Sequence, residues 1–368
     1  MAATLTREQM FAHIVQQDAL KADRLVDTRR VTSSVVDHRL VFNTDAIENV
    51  DAFTLNDHAA GQVALDLGIP KRYFDRMLVE APGLLTANVD HWLGDNGRTR
   101  LLRGFKPLDP RASTGTGRAW LSDRYKRLDN IEIAKRIFPV FDEIEGLTFH
   151  QAQITDTRFY LRAILPGLQA DLKPGQSWTY KGNPVVGDVV QAGIEIRNSE
   201  VGSGALVIRP FILRLVCLNG MTVNEMAQSS RHVGKRIAEE TFYSDEAIEA
   251  DDNAFWLVAR DNVKAALTEV RFAEITRQLA ETLNSDRIEA PIAATQTLQQ
   301  RYSLTDDERE AVLRNLVDAG DLGQWGMLNA ITATAKEVES FDRQAELEDL
   351  GWTIAQLKRS EWSALATS

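Results

Sequence analysis

Apolar positions recur with a helical period near the start of this 368-residue chain, with a strand period through its middle, and with a helical period again over its last third. Phe11, Ile14, Val15 and Leu20 mark a helix from Thr6 to about Asp23, with Thr6 placed to cap it. Alternation over Thr32–Phe42 predicts a strand ended by Asn43-Thr44-Asp45. Residues 57–80 read as two helices joined at Leu67-Gly68-Ile69-Pro70, with Pro70 suited to a first helical turn. Ala64, Gly68, Ile69 and Phe74 also match the spacing of a base-reading helix-turn-helix. Any tight helical hairpin uses the same residue types, and the structural hairpin is the preferred reading.

Residues 98–105 predict a strand, followed by a Pro/Gly-rich loop at 107–117 and a return to order at 118–125. Asp129 or Asn130 can cap a helix through Phe138, with Ile131, Ile133, Ala134 and Ile137 as its stripe and Pro139 as its stop. Residues 153–166 alternate as a strand, and 172–184 turn Pro/Gly-rich around Lys173, Trp178, Tyr180 and Lys181. The clearest β pattern is the pair 188–198 and 205–218, joined by the turn-forming Arg197–Gly204 and closed by Asn219-Gly220. Helical patterns follow over Ala254–Glu281, Thr305–Ala319, Trp325–Glu339 and Ala345–Lys358. Together these predict an α+β fold, an antiparallel sheet with packed helices and a mostly helical C-terminal third.

Charge divides the chain. Residues 1–236 carry 30 Lys+Arg against 27 Asp+Glu, and residues 237–368 carry 12 against 26. This predicts an α+β body over 1–240 and an acidic helical region over 241–368. Against the net charge of −11, positions 98–127 hold nine cations and two acids. The nine are Arg98, Arg100, Arg103, Lys106, Arg111, Arg118, Arg124, Lys126 and Arg127, interleaved with Trp120 and Tyr125. Cations bind phosphates and aromatic rings stack on unpaired bases, so this segment is the candidate nucleic-acid surface; a solvated basic face is the plain alternative. The odd spacing of Trp120 and Tyr125 sends them to opposite faces of a strand, with Tyr125 the contact residue and Trp120 the core residue. Arg197 and Arg214 extend the candidate surface. Arg209 and Arg214 interrupt an apolar strand, so each is expected to face a carboxylate such as Glu195 or Glu200, or a ligand anion. Arg231, Lys235 and Arg236 form a smaller cationic cluster beside His232.

Enzyme signatures are missing. There is no phosphate-binding Gly-Lys loop, no third glycine after Gly115 and Gly117, no nucleophile elbow, and no metal-ligand spacing among the six histidines. Asp188, Glu195 and Glu200 near Arg197 are the least arbitrary set for two-metal chemistry, but pairing with arginines is the preferred reading. No catalysis and no cofactor are expected. Cys217, the single cysteine, is expected as a small buried apolar residue. The sequence lacks a long apolar run and the layout of a signal peptide, which predicts a cytoplasmic protein with no membrane partner.

Three segments carry a resemblance: Arg118-Ala-Trp-Leu-Ser-Asp-Arg-Tyr-Lys-Arg-Leu-Asp-Asn, Ile196-Arg-Asn-Ser-Glu-Val-Gly and Arg214-Leu-Val-Cys-Leu-Asn-Gly-Met. With Leu328-Asn-Ala-Ile-Thr-Ala-Thr-Ala and Ala345-Glu-Leu-Glu-Asp-Leu-Gly-Trp, the chain resembles, from about 50 to 355, the phage/plasmid-like proteins of unknown function. It departs from them at Gly351-Trp352, where paired glycines are expected. The resemblance implies an origin in tailed phages, prophages or conjugative elements and, through neighbouring replication and recombination genes, a role in DNA metabolism. The expected function is non-catalytic binding of nucleic acid, single-stranded DNA foremost, with annealing or recombination as its context and a homo-oligomer as its form. The alternative is an effector that binds a host or phage protein through the acidic helices.

Overall fold

The computed structural model describes residues 5–47, 49–95, 97–180, 182–223, 228–230 and 245–368. Lys181 and the Arg231, His232, Lys235 and Arg236 cluster lie outside these residues. The first helix, α1 (Arg7–Ala19), begins where the sequence predicts, with a reciprocal cap between Thr6 and Gln9.

Six strands form the first sheet: β1 (Arg24–Asp27), β2 (Thr32–Val36), β3 (Arg39–Ile47), β4 (Val50–Leu55), β5 (Thr99–Phe105) and β6 (Thr114–Ser122). Their order is β1-β5-β6-β4-β3-β2, antiparallel except for the parallel pair β4–β6. That pair is parallel because the chain leaves β4 through α2 (Asp57–Asp66), α3 (Lys71–Glu80) and α4 (Pro82–Asp95) before returning. The helices bury Val63, Phe74, Met77, Leu85 and Val89 against Phe42, Phe53 and Trp120. The helical hairpin stands as expected, though Pro70 is the residue before α3 rather than inside it. The expected strand Thr32–Phe42 is a hairpin. Asp37 and His38, at φ 48° and 58°, turn the chain in two residues between Val36 and Arg39.

Gly115 and Gly117, expected in a loop, are buried in β6. A Cβ on Gly115 would lie 2.4 Å from the Phe105 carbonyl oxygen, and one on Gly117 2.4 Å from the Leu55 side chain. These glycines serve close strand packing rather than loop mobility.

The second sheet follows α5 (Asn130–Asp142), which runs through Pro139 because that residue sits on its exposed side, where the carbonyl it leaves unbonded can meet water. Strands β7 (Thr148–Ile154), β8 (Phe159–Asp171), β11 (Val189–Asn198), β12 (Leu206–Arg214) and β13 (Asn219–Thr222) run in the order β13-β12-β11-β8-β7. The short β14 (Gln228–Ser230) also pairs with β12, and every pair is antiparallel. A small hairpin of β9 (Ser177–Tyr180) and β10 (Asn183–Val186) stands apart. Asn219-Gly220 opens β13 instead of closing β12.

The remaining helices are α6 (Asp245–Ala266), α7 (Glu269–Thr282), α8 (Pro291–Tyr302), α9 (Asp306–Ala319), α10 (Gln324–Ala335), α11 (Phe341–Ala355) and α12 (Arg359–Ala366). The single helix expected over Ala254–Glu281 breaks before Thr268, which caps α7. The fold is α+β with a helical C-terminal third. Ile194, Ile196, Leu161 and Ile208 pack with α1, α5 and α6, while Val190, Ala192 and Ile212 pack with α7–α12. Among the described residues no helix is long and apolar enough to cross a membrane.

Candidate functional site

The basic segment divides into cations spent inside the fold and cations left at its surface. Arg103 is fully buried on β5, where its guanidinium donates to Asp23 (2.8 Å), Asp129 (2.7 Å) and the Glu200 carbonyl (2.8 Å). Arg118 is buried on β6, bonded to the Glu200 carboxylate at 3.0 and 3.1 Å and stacked 3.9 Å from the Phe105 ring. Arg100 is held by Asp66, which also accepts from the Trp120 indole at 3.0 Å. Trp120 is a core residue, as its flanking residues imply. Arg98, by contrast, keeps 43% of its side chain exposed, 3.7 Å from Asp66, and Arg124 and Arg127 are exposed.

Register brings the surface cations together. Arg100 pairs with Ser122 across β5–β6, so Arg98 and Arg124 leave the sheet at the same end, with Lys126 and Arg127 in the turn beyond. Lys126 lies 5.7 Å from the Phe255 ring. Lys106 and Arg111 stand at the opposite, hairpin end. Tyr125 is half-buried; its hydroxyl donates to the Ser199 carbonyl at 2.9 Å, and burial pushes the phenol pKa up. Arg124 and Arg127 make no ion pair among the described residues.

The 118–130 and 196–202 segments meet physically. Arg118 and the Asn130 backbone hold Glu200, Tyr125 holds Ser199, and the Asn198 amide donates to Leu128 and Asn130. His58 and Gln62 of α2 reach Val201 at 2.9 and 2.7 Å. The turn after β11 therefore ties the two sheets together. Glu200, expected to pair with an arginine, does so with Arg118, a partner 82 residues away that its own turn does not point to.

A second group of charges lies inside the second sheet. Arg162 on β8, Glu195 on β11 and Arg209 on β12 face one another in one row of the register, and Gln151 on β7 extends it. All three charged residues are buried. Helix α11 completes the row: Glu348 bonds Arg162, and Asp349 accepts from Arg209 at 2.6 Å and from Arg197 at 3.2 Å. Three guanidiniums thus meet three carboxylates, which satisfies the requirement that a buried charge be paired. Arg209 faces Glu195 as expected. Arg214 faces Asp188 instead, at 2.7 and 2.6 Å, with the Trp178, Tyr180 and Trp325 rings around it. Asp188, Glu195 and Glu200 therefore sit on separate arginines. Among the described residues no three acidic, His or Cys side chains come together to hold a metal. Cys217 is half-buried in the turn after β12, its sulfur 3.8 Å from Arg214, and so is not the core residue expected.

No curated protein and no solved structure matches the chain. A family profile matches residues 119–360, a shorter span than the resemblance from about 50. It takes in Arg124, Tyr125, Lys126 and Arg127, both partners of the charged row, and most of the helical third; Arg98, Arg100, Arg103, Lys106 and Arg118 fall before it. From that match over most of its length, the chain belongs to the family described as a domain of unknown function, DUF932.

Proposed function

We propose that this protein is a DNA-handling protein of a mobile genetic element that binds single-stranded nucleic acid, without catalysis, at the β5–β6 end that carries Arg98, Arg124, Lys126 and Arg127. The observation that carries the reading is the register that gathers these side chains at one sheet end while neighbouring cations are neutralised internally. Arg124 and Arg127, which are exposed and make no ion pair among the described residues, can exchange their counterions for phosphate, which is the main source of sequence-independent affinity. Arg103, Arg118, Arg197 and Arg214 then act as supports that hold the sheets beneath the binding end. The resemblance to phage/plasmid-like proteins supports the mobile-element setting.

The test is fluorescence anisotropy with single-stranded and duplex DNA over a salt series. Replacing Arg124 and Arg127 together with Ala removes up to two phosphate contacts, flattening the single-strand salt slope by about 0.7 per contact. Both side chains are exposed, so the melting temperature stays at the wild-type value. A double variant with an unchanged slope overturns the reading. Tyr125→Leu adds a second measurement: loss of a base stack weakens single-strand binding by about 1–3 kcal/mol, with a much smaller change in duplex binding.

A further inference from the structure

A part-open cavity of about 340 Å³ lies above one end of the charged row, between β7, β12 and the α10–α11 region. Its size is at the lower end of the range for small-molecule sites and suits one ring system rather than a large cofactor. Two features of the second sheet shape it. His150 is the extra residue of a β-bulge: Phe149 pairs with Ala163, and Gln151 already pairs with the adjacent Arg162. A bulge re-aims a side chain, and His150 lines the cavity. Gly220 keeps the space open, because a Cβ there would lie 2.5 Å from the Phe211 ring and 3.3 Å from the Glu348 carboxylate.

The charges around the cavity cancel. Among the described residues its lining holds two cations, Arg162 and Lys336, and two carboxylates, Glu339 and Glu348. Arg162 is engaged by Glu195, Glu348 and the Gln151 oxygen, and Lys336 donates to the Cys217 carbonyl. Both cations already have partners, and the exposed Glu339 at the rim repels an anion. The groups left to a ligand are uncharged. The bond from Arg162 fixes the Gln151 amide, so its NH2 group is the side left to donate. The Gln344 side chain makes no hydrogen bond among the described residues and offers both a donor and an acceptor. Burial, together with the charges of Arg162 and Lys336, holds His150 below its ordinary pKa, so its ring is neutral at physiological pH, one nitrogen donating and the other accepting. Phe211 and Phe341 add an aromatic wall.

We infer that the cavity binds an uncharged planar heterocycle of the nucleobase type, its ring against Phe211 and Phe341 and its donor- and acceptor-bearing edge toward His150, Gln151 and Gln344. A hydrocarbon ring would leave these polar side chains unpaired, and a charged ring would meet no free counter-charge. A ring with an amide or amidine edge satisfies both the aromatic wall and the mixed donors and acceptors. The cavity lies wholly within residues 119–360 and on a different part of the fold from the basic sheet end. The inference therefore stands whether or not that end binds DNA.

Isothermal titration of the full chain tests it, with uracil, adenine, their N-dimethylated forms and orotate, which is uracil bearing a carboxylate, as probes. Uracil or adenine binds saturably. Its dimethylated form, which has lost donors from the same ring, binds at least 10-fold more weakly, and so does orotate. Gln344→Leu, which keeps the side chain's size and removes its amide, lowers affinity at least 10-fold. Val338→Trp abolishes binding by filling the cavity and leaves every polar group in place, so it decides the matter if the Gln344 variant fails to fold. Displacement of the bound base by a short single-stranded oligonucleotide identifies the ligand as a base carried on a strand, and failure to displace it identifies a free base or nucleoside. Saturable binding of neither base, equal binding of a base and its dimethylated form, orotate binding as tightly as the base, or binding untouched by Val338→Trp overturns the inference.

Discussion

Arg103 shows what a single side chain decides here. Its place among eight other cations predicts a nucleic-acid surface, yet it has no exposure at all. Its three hydrogen-bond partners come from residues 23, 129 and 200, so nothing within its own segment announces its burial. Removing it leaves the buried Asp23 carboxylate without a cation and Asp129 with Lys21 alone. Arg103→Ala is expected to cost about 3–5 kcal/mol in urea unfolding, far more than Arg124→Ala. Asp129 gives the matching pH effect. Burial pushes its carboxyl up, but the charges and hydrogen bonds of Arg103 and Lys21 outweigh burial and leave the pKa lowered. A carboxyl held low in the folded state stabilises above its unfolded pKa, and that contribution fades as pH falls through the carboxylate range. Stability measured from pH 7 to pH 3 should thus fall more steeply in the wild type than in Asp129→Asn, which starts less stable and loses less.

Among elements, β6 is the most informative. Its Thr114-Gly-Thr-Gly sequence reads as a turn from composition, and only the neighbours β4 and β5 reveal why glycine is needed there. Gly115→Ala drives a Cβ into a backbone oxygen that cannot rotate away, so the strand must shift; a loss of about 1–3 kcal/mol in thermal or urea unfolding is expected. Much of the fold was legible from period alone: α1 with its cap, the α2–α3 hairpin, β5, β8, β11, β12 and most C-terminal helices. The rest was hidden for identifiable reasons. The Asp37-His38 turn lacks the glycine that marks most two-residue hairpins. The pattern predicts no element over 82–95, where Pro82 begins α4. Ile194-Glu195-Ile196-Arg197 alternates as a half-exposed strand would, yet both of its faces are covered, because α11 brings acids to the polar one. Arg209 could be assigned a carboxylate partner within its own hairpin, but Asp349 lies 140 residues away and left no local trace.

At the scale of the whole molecule, the turn after β11 ties the two larger sheets together and α11 closes the second. Glu348→Ala removes one of the two carboxylates on Arg162 and is expected to destabilise the chain by about 3–5 kcal/mol in urea unfolding, with α11 loosened from the sheet in hydrogen exchange. That closure also sets an order on how the protein is made. Every strand of the first sheet has been synthesised once Ser122 is in place, together with the helices that cover it. The second sheet has received Arg162, Arg197 and Arg209 by residue 209, but of their three acids only Glu195. Elongation at about 5–20 residues per second puts Asp349 some 7–28 s behind Arg209. Throughout that interval the nascent sheet carries two guanidiniums in excess on the face that is to become its interior. A ribosome that stops before α11 releases a chain whose second sheet cannot neutralise itself, so α11 lets the fold distinguish a chain that has reached Asp349 from one that has not.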